Sequence, residues 1–321
     1  MKILFIILFL LTLQHRVFPI TPEKLFTSER NKTFYIEHEH KYDWFESLAK
    51  CARMDMYLTA FDSKVKWDDV LSMIQKHFGK NLVLWTSGYA VGDKRQFMWM
   101  TTGEEFTFTN WTTGNPDFSE QKEYCVQIGN GPYLEWNDNT CTKKFGFICE
   151  FKEQQSKNHS HDKTSKYYKK LFTSERNKTF YIDHEEKYDW FESIAKCARM
   201  DMSLMAIDSK VKWDDVLSMI QKQFGKKLIL WTSGYAVGEK REFFWMTTGE
   251  EFTFTNWTSG NPDFSEKNEY CVQIGTGPHS EWNDNKCSKK FGFICEFKDH
   301  QCNKYYNDKI TQNYNLYFNR Y

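Results

Sequence analysis

The sequence has no excess of charge of either sign. Lys plus Arg number 43 and Asp plus Glu number 43, so bulk charge gives no ground for a nucleic-acid or anionic-membrane partner. It has no nucleophile–base motif and no phosphate-binding glycine loop, which leaves no case for an enzyme. Beyond the N-terminus no apolar stretch reaches the roughly 20 residues that a bilayer span needs, and no membrane insertion is expected. Aromatics are not scarce: at 18% of 321 residues they point to packed cores, in a chain long enough for two ordinary domains.

The N-terminus is the one apolar run. Met1-Lys2 leads into Ile3 to Leu13, followed by Gln14, His15 and Arg16. A Lys and about eleven apolar residues suit a signal peptide covering residues 1–20, with an uncleaved signal anchor as the alternative. No small-residue motif marks the cut, which is placed loosely near residues 18–20. The chain is therefore expected to be secreted into an oxidising, extracellular compartment where cysteines pair. Asn31, Asn110, Asn158, Asn177 and Asn256 head N-x-S/T sequons and suit the same compartment as glycosylation sites.

A repeat organises the chain. Leu25 to Phe34 recurs unchanged at Leu171 to Phe180, and the offset of 146 continues without a gap to Phe151-Lys152 and Phe297-Lys298. The expected domains are residues 25–152 and 171–298. Residues 153–170, polar and without apolar period, read as a linker, and residues 299–321 form an Asn- and Tyr-rich tail with no assigned fold. Identity between the copies reflects duplication and is weak support for any proposed site.

Within the first copy Phe34 to Ile36 reads as a strand. Trp44, Phe45, Leu48, Ala49 and Ala52 then fall at helical spacing. A second helix follows Ser63 as N-cap, burying Trp67, Val70, Leu71, Ile74 and Phe78. Leu82–Trp85, Phe97–Met100, Phe106–Trp111, Tyr124–Ile128 and Phe145–Phe151 read as strands. The fold class is α+β, two helices and small antiparallel sheets per domain, with a long polar binding loop between Trp111 and Tyr124. Each copy holds four cysteines, Cys51, Cys125, Cys141 and Cys149, then Cys197, Cys271, Cys287 and Cys295. Spacing alone does not choose among the three possible pairings.

Cys51 on a helix, Leu84-Trp85-Thr86-Ser87-Gly88, Asn115-Pro116-Asp117, Glu135-Trp136-Asn137-Asp138, Cys141 and the closing Phe147-Ile148-Cys149-Glu150 follow one order and spacing. Both copies thereby resemble the C-type lectin-like domain, in the short, secreted form found in arthropods. The resemblance implies pairs Cys51–Cys149 and Cys125–Cys141, then Cys197–Cys295 and Cys271–Cys287, leaving Cys302 in the tail unpaired. It also implies one calcium ion per domain. Its ligands would be Asn115, Asp117, Glu123, Asn137 and Asp138, and in the second copy Asn261, Asp263, Glu269, Asn283 and Asp284. Oxygen donors of this kind suit calcium, which takes about six to eight of them. The same residues would hold two vicinal sugar hydroxyls, with Pro116 in the cis form. At the positions of an auxiliary calcium site stand Ala90, Lys94, Phe118 and Tyr124, none a carboxylate. Asn-Pro-Asp places the amide first and the acid third, the order that the family associates with galactose-type rather than mannose-type sugars, though one methylene shorter. Phe118 and Phe264 are candidates to stack on the sugar or to pack locally, whereas Trp136 and Trp282 are expected in the core. His38, His40, His159 and His161 lack a third ligand and read as solvated.

The expected function is that of a bivalent, calcium-dependent lectin for glycans or glycoproteins, with two like sites joined by a linker spanning about 23 Å root-mean-square. The alternative is a lectin-like fold that binds a protein partner without calcium or sugar. For Cys302 the choice is between a disulfide-linked dimer and a free or capped thiol. A gel without reductant decides it: a dimer band that Cys302→Ser abolishes establishes the cross-link, and a monomer band leaves the thiol.

Overall fold

The structure, a computed structural model, describes residues 20–131, 133–152 and 170–298. The signal-peptide segment, the linker with Asn158, His159 and His161, and the tail with Cys302 lie outside the described residues. Two compact units result, one of residues 20–86, 110–152 and 248–250, the other of residues 87–109, 170–247 and 251–298. These boundaries differ from those of the sequence repeat at residues 87–109 and 248–250.

In chain order the first repeat runs β1 (Leu25–Thr27), β2 (Thr33–Tyr42), α1 (Trp44–Arg53), β3 (Met56–Leu58), α2 (Lys64–Phe78), β4 (Leu84–Val91), β5 (Gln96–Trp99), β6 (Glu123–Asn130), β7 (Glu135–Thr140) and β8 (Phe145–Phe151). The second repeats this as β9 (Leu171–Thr173), β10 (Thr179–Tyr188), α3 (Trp190–Arg199), β11 (Met202–Leu204), α4 (Lys210–Phe224), β12 (Leu230–Val237), β13 (Glu242–Trp245), β14 (Cys271–Thr276), β15 (Glu281–Asn285) and β16 (Phe291–Phe297). The α+β class, two helices per repeat with strands around them, is as expected, with one difference. Each repeat builds a single eight-stranded sheet, ordered β1-β2-β8-β4-β6-β7 in the first, with β3 beside β8 and β5 beside β4. That sheet is mixed, because β4 runs parallel to β8 through Leu84–Gly146 and Trp85–Phe147.

Local chemistry explains the helix ends. Asp43 caps α1: its carboxylate accepts from the Glu46 amide at 2.8 Å, and the Glu46 carboxylate accepts from the Asp43 amide at 2.8 Å. Ser63 caps α2 by accepting from the Lys66 amide at 3.3 Å, and Gly79 closes it at φ +60°, a left-handed position that glycine takes without steric cost. The central strand β4 is buried along its whole length. Its polar residues are satisfied within the sheet: Thr86 Oγ1 donates to the Val126 carbonyl at 2.7 Å, and the Trp44 indole donates to the Thr86 carbonyl at 2.8 Å.

Phe106–Trp111 is not a strand. Within it only Trp111 forms an isolated bridge, to Trp136, and a second bridge lies just before it at Glu105. Its apolar residues serve as ring contacts, clearest in the second repeat, where Phe252 stacks on Trp245 at 3.9 Å and Trp257 meets Trp282 edge-on at 5.8 Å. A run of aromatics thus reads as a strand although no ladder forms. The short strands β1 and β3 lie outside the elements expected from the sequence, their three residues carrying too little period to register.

Four disulfides join Cys51–Cys149, Cys125–Cys141, Cys197–Cys295 and Cys271–Cys287, the pairing the resemblance implies. The first and third tie a helix to the last strand across 98 residues, worth about 4–5 kcal/mol each in the chain-entropy model. The second and fourth close 16 residues at the β6–β7 and β14–β15 hairpins, worth about 3 kcal/mol each on the same basis.

Burial, with the like charge of Glu46 adding to it, pushes the Asp43 carboxyl up to about 6 from 3.8, and Asp189 behaves alike. A folded value above the unfolded one means that the stabilising contribution is present below about 3.8 and lost as pH rises through 6. Asp43→Asn with Asp189→Asn keeps both caps and removes both charges. Its melting temperature relative to the parent should therefore be higher at pH 7.5 than at pH 4, whereas Asp43→Ala should cost about 1 kcal/mol. Melting curves at the two pH values decide this.

Candidate functional site

The site is built on the β6–β7 hairpin and on the loop that precedes it. Register pairs Val126 with Asp138 and Gln127 with Asn137, and the Cys125–Cys141 bridge pins the hairpin's open end. Alternation along β7 turns Trp136 and Asp138 inward, both fully buried, and leaves Asn137 half-buried. Trp136 packs edge-on against Trp67 and Trp111 at 5.7 Å each, which places it in the core. Trp282 is equally buried in the second repeat.

The loop is anchored onto this hairpin through its backbone. Thr112 donates its amide to the Trp136 carbonyl at 2.9 Å, and Asn115 donates to the Thr112 carbonyl at 2.9 Å. The Asn115–Pro116 and Asn261–Pro262 peptide bonds are cis. The Asp138 carboxylate then accepts from the Asp117 amide at 3.2 Å and from the Phe118 amide at 2.8 Å. Asp284 receives the Asp263 and Phe264 amides at the same distances. Asp117 and Asp263 in turn accept from the amides of Ser119 and Ser265 at 3.0 Å.

Asp117, Glu123 and Asp138 each present a carboxylate oxygen, and these lie within 4.8 Å of one another; Asp263, Glu269 and Asp284 do the same. Among the described residues none of the six is ion-paired. Burial raises the Glu123 carboxyl above its ordinary range, and the charges of Asp138 and Asp117 push it the same way. Asp138 is also raised by burial, although the amides of Phe118 and Asp117 hold it down. Glu269 and Asp284 follow the same pattern. Three gathered acids at the end of a rigid hairpin are a donor set for a hard cation. Oxygens bound at about 2.4 Å to one calcium stand at most about 5 Å apart, so the observed spread fits one ion.

The amides of the expected set are placed less uniformly. In the second repeat Asn261 Nδ2 donates to Asn283 Oδ1, and Asn283 Nδ2 donates to the Asp284 carbonyl, which brings all three residues together. In the first, Asn137 donates to the Asp138 carbonyl, and Asn115 is held in the loop by its amide's bond to Thr112 and precedes Asp117 across the cis Pro116 bond. Phe264 is half-buried: its ring stacks on Phe243 at 5.6 Å and lies under the Arg241 guanidinium at 4.8 Å. Both Phe118 and Phe264 take left-handed backbone with φ +49°. Arg241, which also lies over Tyr270 at 5.2 Å, is a neighbour that sequence reasoning missed, because nothing in the local pattern marks it.

The sequon residues Asn31 and Asn177 sit exposed in the β1–β2 and β9–β10 turns with φ +59°. Asn110 and Asn256 are half-buried, their carbonyls accepting from the Trp136 and Trp282 amides at 2.8 Å. A further group, Glu37, Glu39 and His40, gathers on β2. Lys24 already pairs with both acids, reaching Glu37 at 2.7 Å and Glu39 at 3.0 Å. The His38 ring packs edge-on against Phe78 at 4.9 Å.

A family model for the Lectin C-type domain matches residues 40–151 and 186–297. Lectin subunit alpha of Sarcophaga peregrina is 38% identical over 123 residues, which cover 36% of this chain and 44% of that protein; the match thus spans less than half of that relative's length. Salivary C-type lectin 1 of Aedes albopictus is 29% identical over 115 residues, 34% of this chain and 75% of that protein. Among solved structures human lithostathine aligns with a TM-score of 0.36 and 23% identity, over 41% of this chain and 91% of its own.

The Asp138 carboxylate is the loop's fastening. Asp138→Ala leaves the Asp117 and Phe118 amides without their acceptor, a loss of about 1–3 kcal/mol of local stability. Hydrogen exchange at those two amides should then speed up about 10- to 100-fold while exchange in β4 is unchanged. Unchanged exchange at Asp117 and Phe118 would contradict this role.

Proposed function

We propose that this chain, which belongs to the C-type lectin family through both of its repeats, is a secreted, bivalent, calcium-dependent carbohydrate-binding protein, non-enzymatic and directed to galactose-type sugars. A lectin role follows from the family. The calcium reading is carried by one observation: three carboxylates, none ion-paired among the described residues, their oxygens within 4.8 Å, recur at both hairpins. Secretion is supported by the apolar N-terminal run, the sequons and four disulfides, and by the salivary designation of one relative. Among the described residues no helix is long and apolar enough to cross a membrane.

In this proposal Asp117, Glu123 and Asp138, with the amide oxygens of Asn115 and Asn137, hold one calcium ion in the first domain. Asp263, Glu269, Asp284, Asn261 and Asn283 do so in the second. When bound, calcium supplies open coordination positions for two vicinal hydroxyls of a sugar. The chain's residues do the selecting. Asn115 and Asn261 offer amide donors, Asp117 and Asp263 offer acceptors, and this order favours the hydroxyl pair of galactose over that of mannose. Phe264, packed on Phe243 and capped by Arg241, acts as a support of the loop; only a part of its ring is left for a sugar face. Residues 25–152 and 171–298 serve as the two binding domains, joined by residues 153–170, so that two sugars on one surface are held with avidity. Glycoproteins and surface glycans are the partners this implies.

The experiment is retention on galactose resin in calcium, elution by a chelator, and the same on mannose resin. Retention on galactose alone, lost on chelation, is the expected result. Retention on mannose alone would overturn the sugar assignment, and retention that survives chelation would favour a calcium-independent protein-binding role. Acid should release the sugar too. The raised carboxyls of Glu123, Asp138, Glu269 and Asp284 take up protons above the ordinary carboxylate range, and each proton competes with the ion. Apparent calcium affinity should therefore fall as pH drops from 7 towards 5, and a flat profile would contradict it.

A further inference from the structure

All five proposed ligands have the same residue type in both repeats, and on that ground the two sites are expected to be alike. Their surroundings are not. Thr140, the strand partner of Glu123, has Lys286 as its counterpart 146 residues on; Gln121 has Lys267 and Lys122 has Asn268. In the first repeat Glu120 pairs with Lys122 at 3.4 Å, so the added charges beside that site cancel. In the second, Glu266 stands against two lysines, 267 and 286, and pairs with Lys286. Over the loop and hairpin, residues 115–143 against 261–289, the second repeat therefore carries one more positive charge than the first.

Lys286 is not a remote surface charge. It follows the proposed ligand Asp284 by two residues, its amide donates to Asn285 Oδ1 at 2.9 Å, and its side chain is only 30% exposed. It also acts on the proposed ligand Glu269, opposing the rise that burial, Asp284 and Asp263 produce. On Glu123 the opposing charge is Lys143, whose counterpart Lys289 the second repeat keeps. Lys286 is thus a charge added in the second repeat where the first has the neutral Thr140.

We propose that Lys286 makes the second repeat the weaker of two calcium sites, so that the domains fill in sequence as calcium rises. This rests on the calcium reading of both sites. A divalent ion feels a neighbouring unit charge twice as strongly as a monovalent one does, and Lys286 lies where solvent screens only part of that repulsion. The expected penalty is about three- to tenfold in dissociation constant, shrinking as salt is added. Glu266 does not cancel the difference, because Glu120 stands at the same place in the first repeat. Nor does the Lys286–Glu266 pair offset it by stiffening the loop, since Glu266 is 70% exposed and pairs of that kind contribute little. The consequence is graded valency. At intermediate calcium the protein holds one sugar through its first domain, and at higher calcium it gains the second contact and the avidity that follows.

The test is a calcium titration of the full-length protein, followed by tryptophan-sensitised terbium luminescence and competition with calcium. Glu269→Gln leaves the first site intact and Glu123→Gln leaves the second. The second site alone should bind about three- to tenfold more weakly at low ionic strength. Adding Lys286→Thr to the Glu123→Gln protein should restore the affinity of the first site, and adding Thr140→Lys to the Glu269→Gln protein should lower it. Equal affinities of the two single-site proteins, or no response to Lys286→Thr, would overturn the inference while leaving the calcium reading in place. Absence of calcium-competable binding in both proteins and in the parent would instead remove the calcium reading, and this inference with it.

Discussion

Three carboxylates whose oxygens lie within 4.8 Å of one another repel, and the structure around them is arranged to resist that repulsion. Asp138 and Asp284 are fully buried yet held by two loop amides each. The same hydrogen bonds that stabilise the charge fold the loop over the hairpin. Loop and acid are thus one unit: without the carboxylate the loop loses its fastening, and without the loop the carboxylate loses its donors. A short disulfide at the hairpin's open end removes the remaining freedom to splay.

Behind this lies a core that shares nothing chemically with the site but sets its position. The fully buried β4 and β12 carry the sheets, and Trp136 and Trp282 face into aromatic clusters from the very strands that carry the acids. Because side chains alternate along a strand, Trp136 and Asp138 share a face and Asn137 takes the other. A shift of one residue in β7 would exchange the buried acid for an amide. The register that packs the tryptophan therefore also places the charge.

The two repeats show how far residue type goes in specifying a site. Every carboxylate and amide of the set recurs, and both loops adopt the same cis peptides and the same left-handed turn. The difference enters through residues that are not themselves proposed ligands: Thr140 and Gln121 in one copy, Lys286 and Lys267 in the other. In a site whose chemistry is electrostatic, a neighbour of this kind acts through its field, and a list of identical ligands does not register it.

Much of this was legible in the chain itself. The repeat, the two helices with Ser63 as cap, most strands, and the acids and amides of the loop all follow from local pattern and from the motifs that resemble a C-type lectin-like domain. Local pattern is sufficient there because caps, periodicity and motif spacing are properties of adjacent residues. It was insufficient where partners are distant. Phe106–Trp111 has the composition of a strand but spends its aromatics on ring contacts, and the sheet is mixed because β4 meets β8 some sixty residues away. Phe264 is a packed support under Arg241, which only the folded loop brings to it. The sequence by itself determined which oxygen donors each domain owns. Tertiary structure decided that three of them converge within 4.8 Å, that among the described residues none of them is ion-paired, and that Lys286 acts on the Glu269 carboxylate. Those are distances between residues far apart in the chain, and only folding sets them.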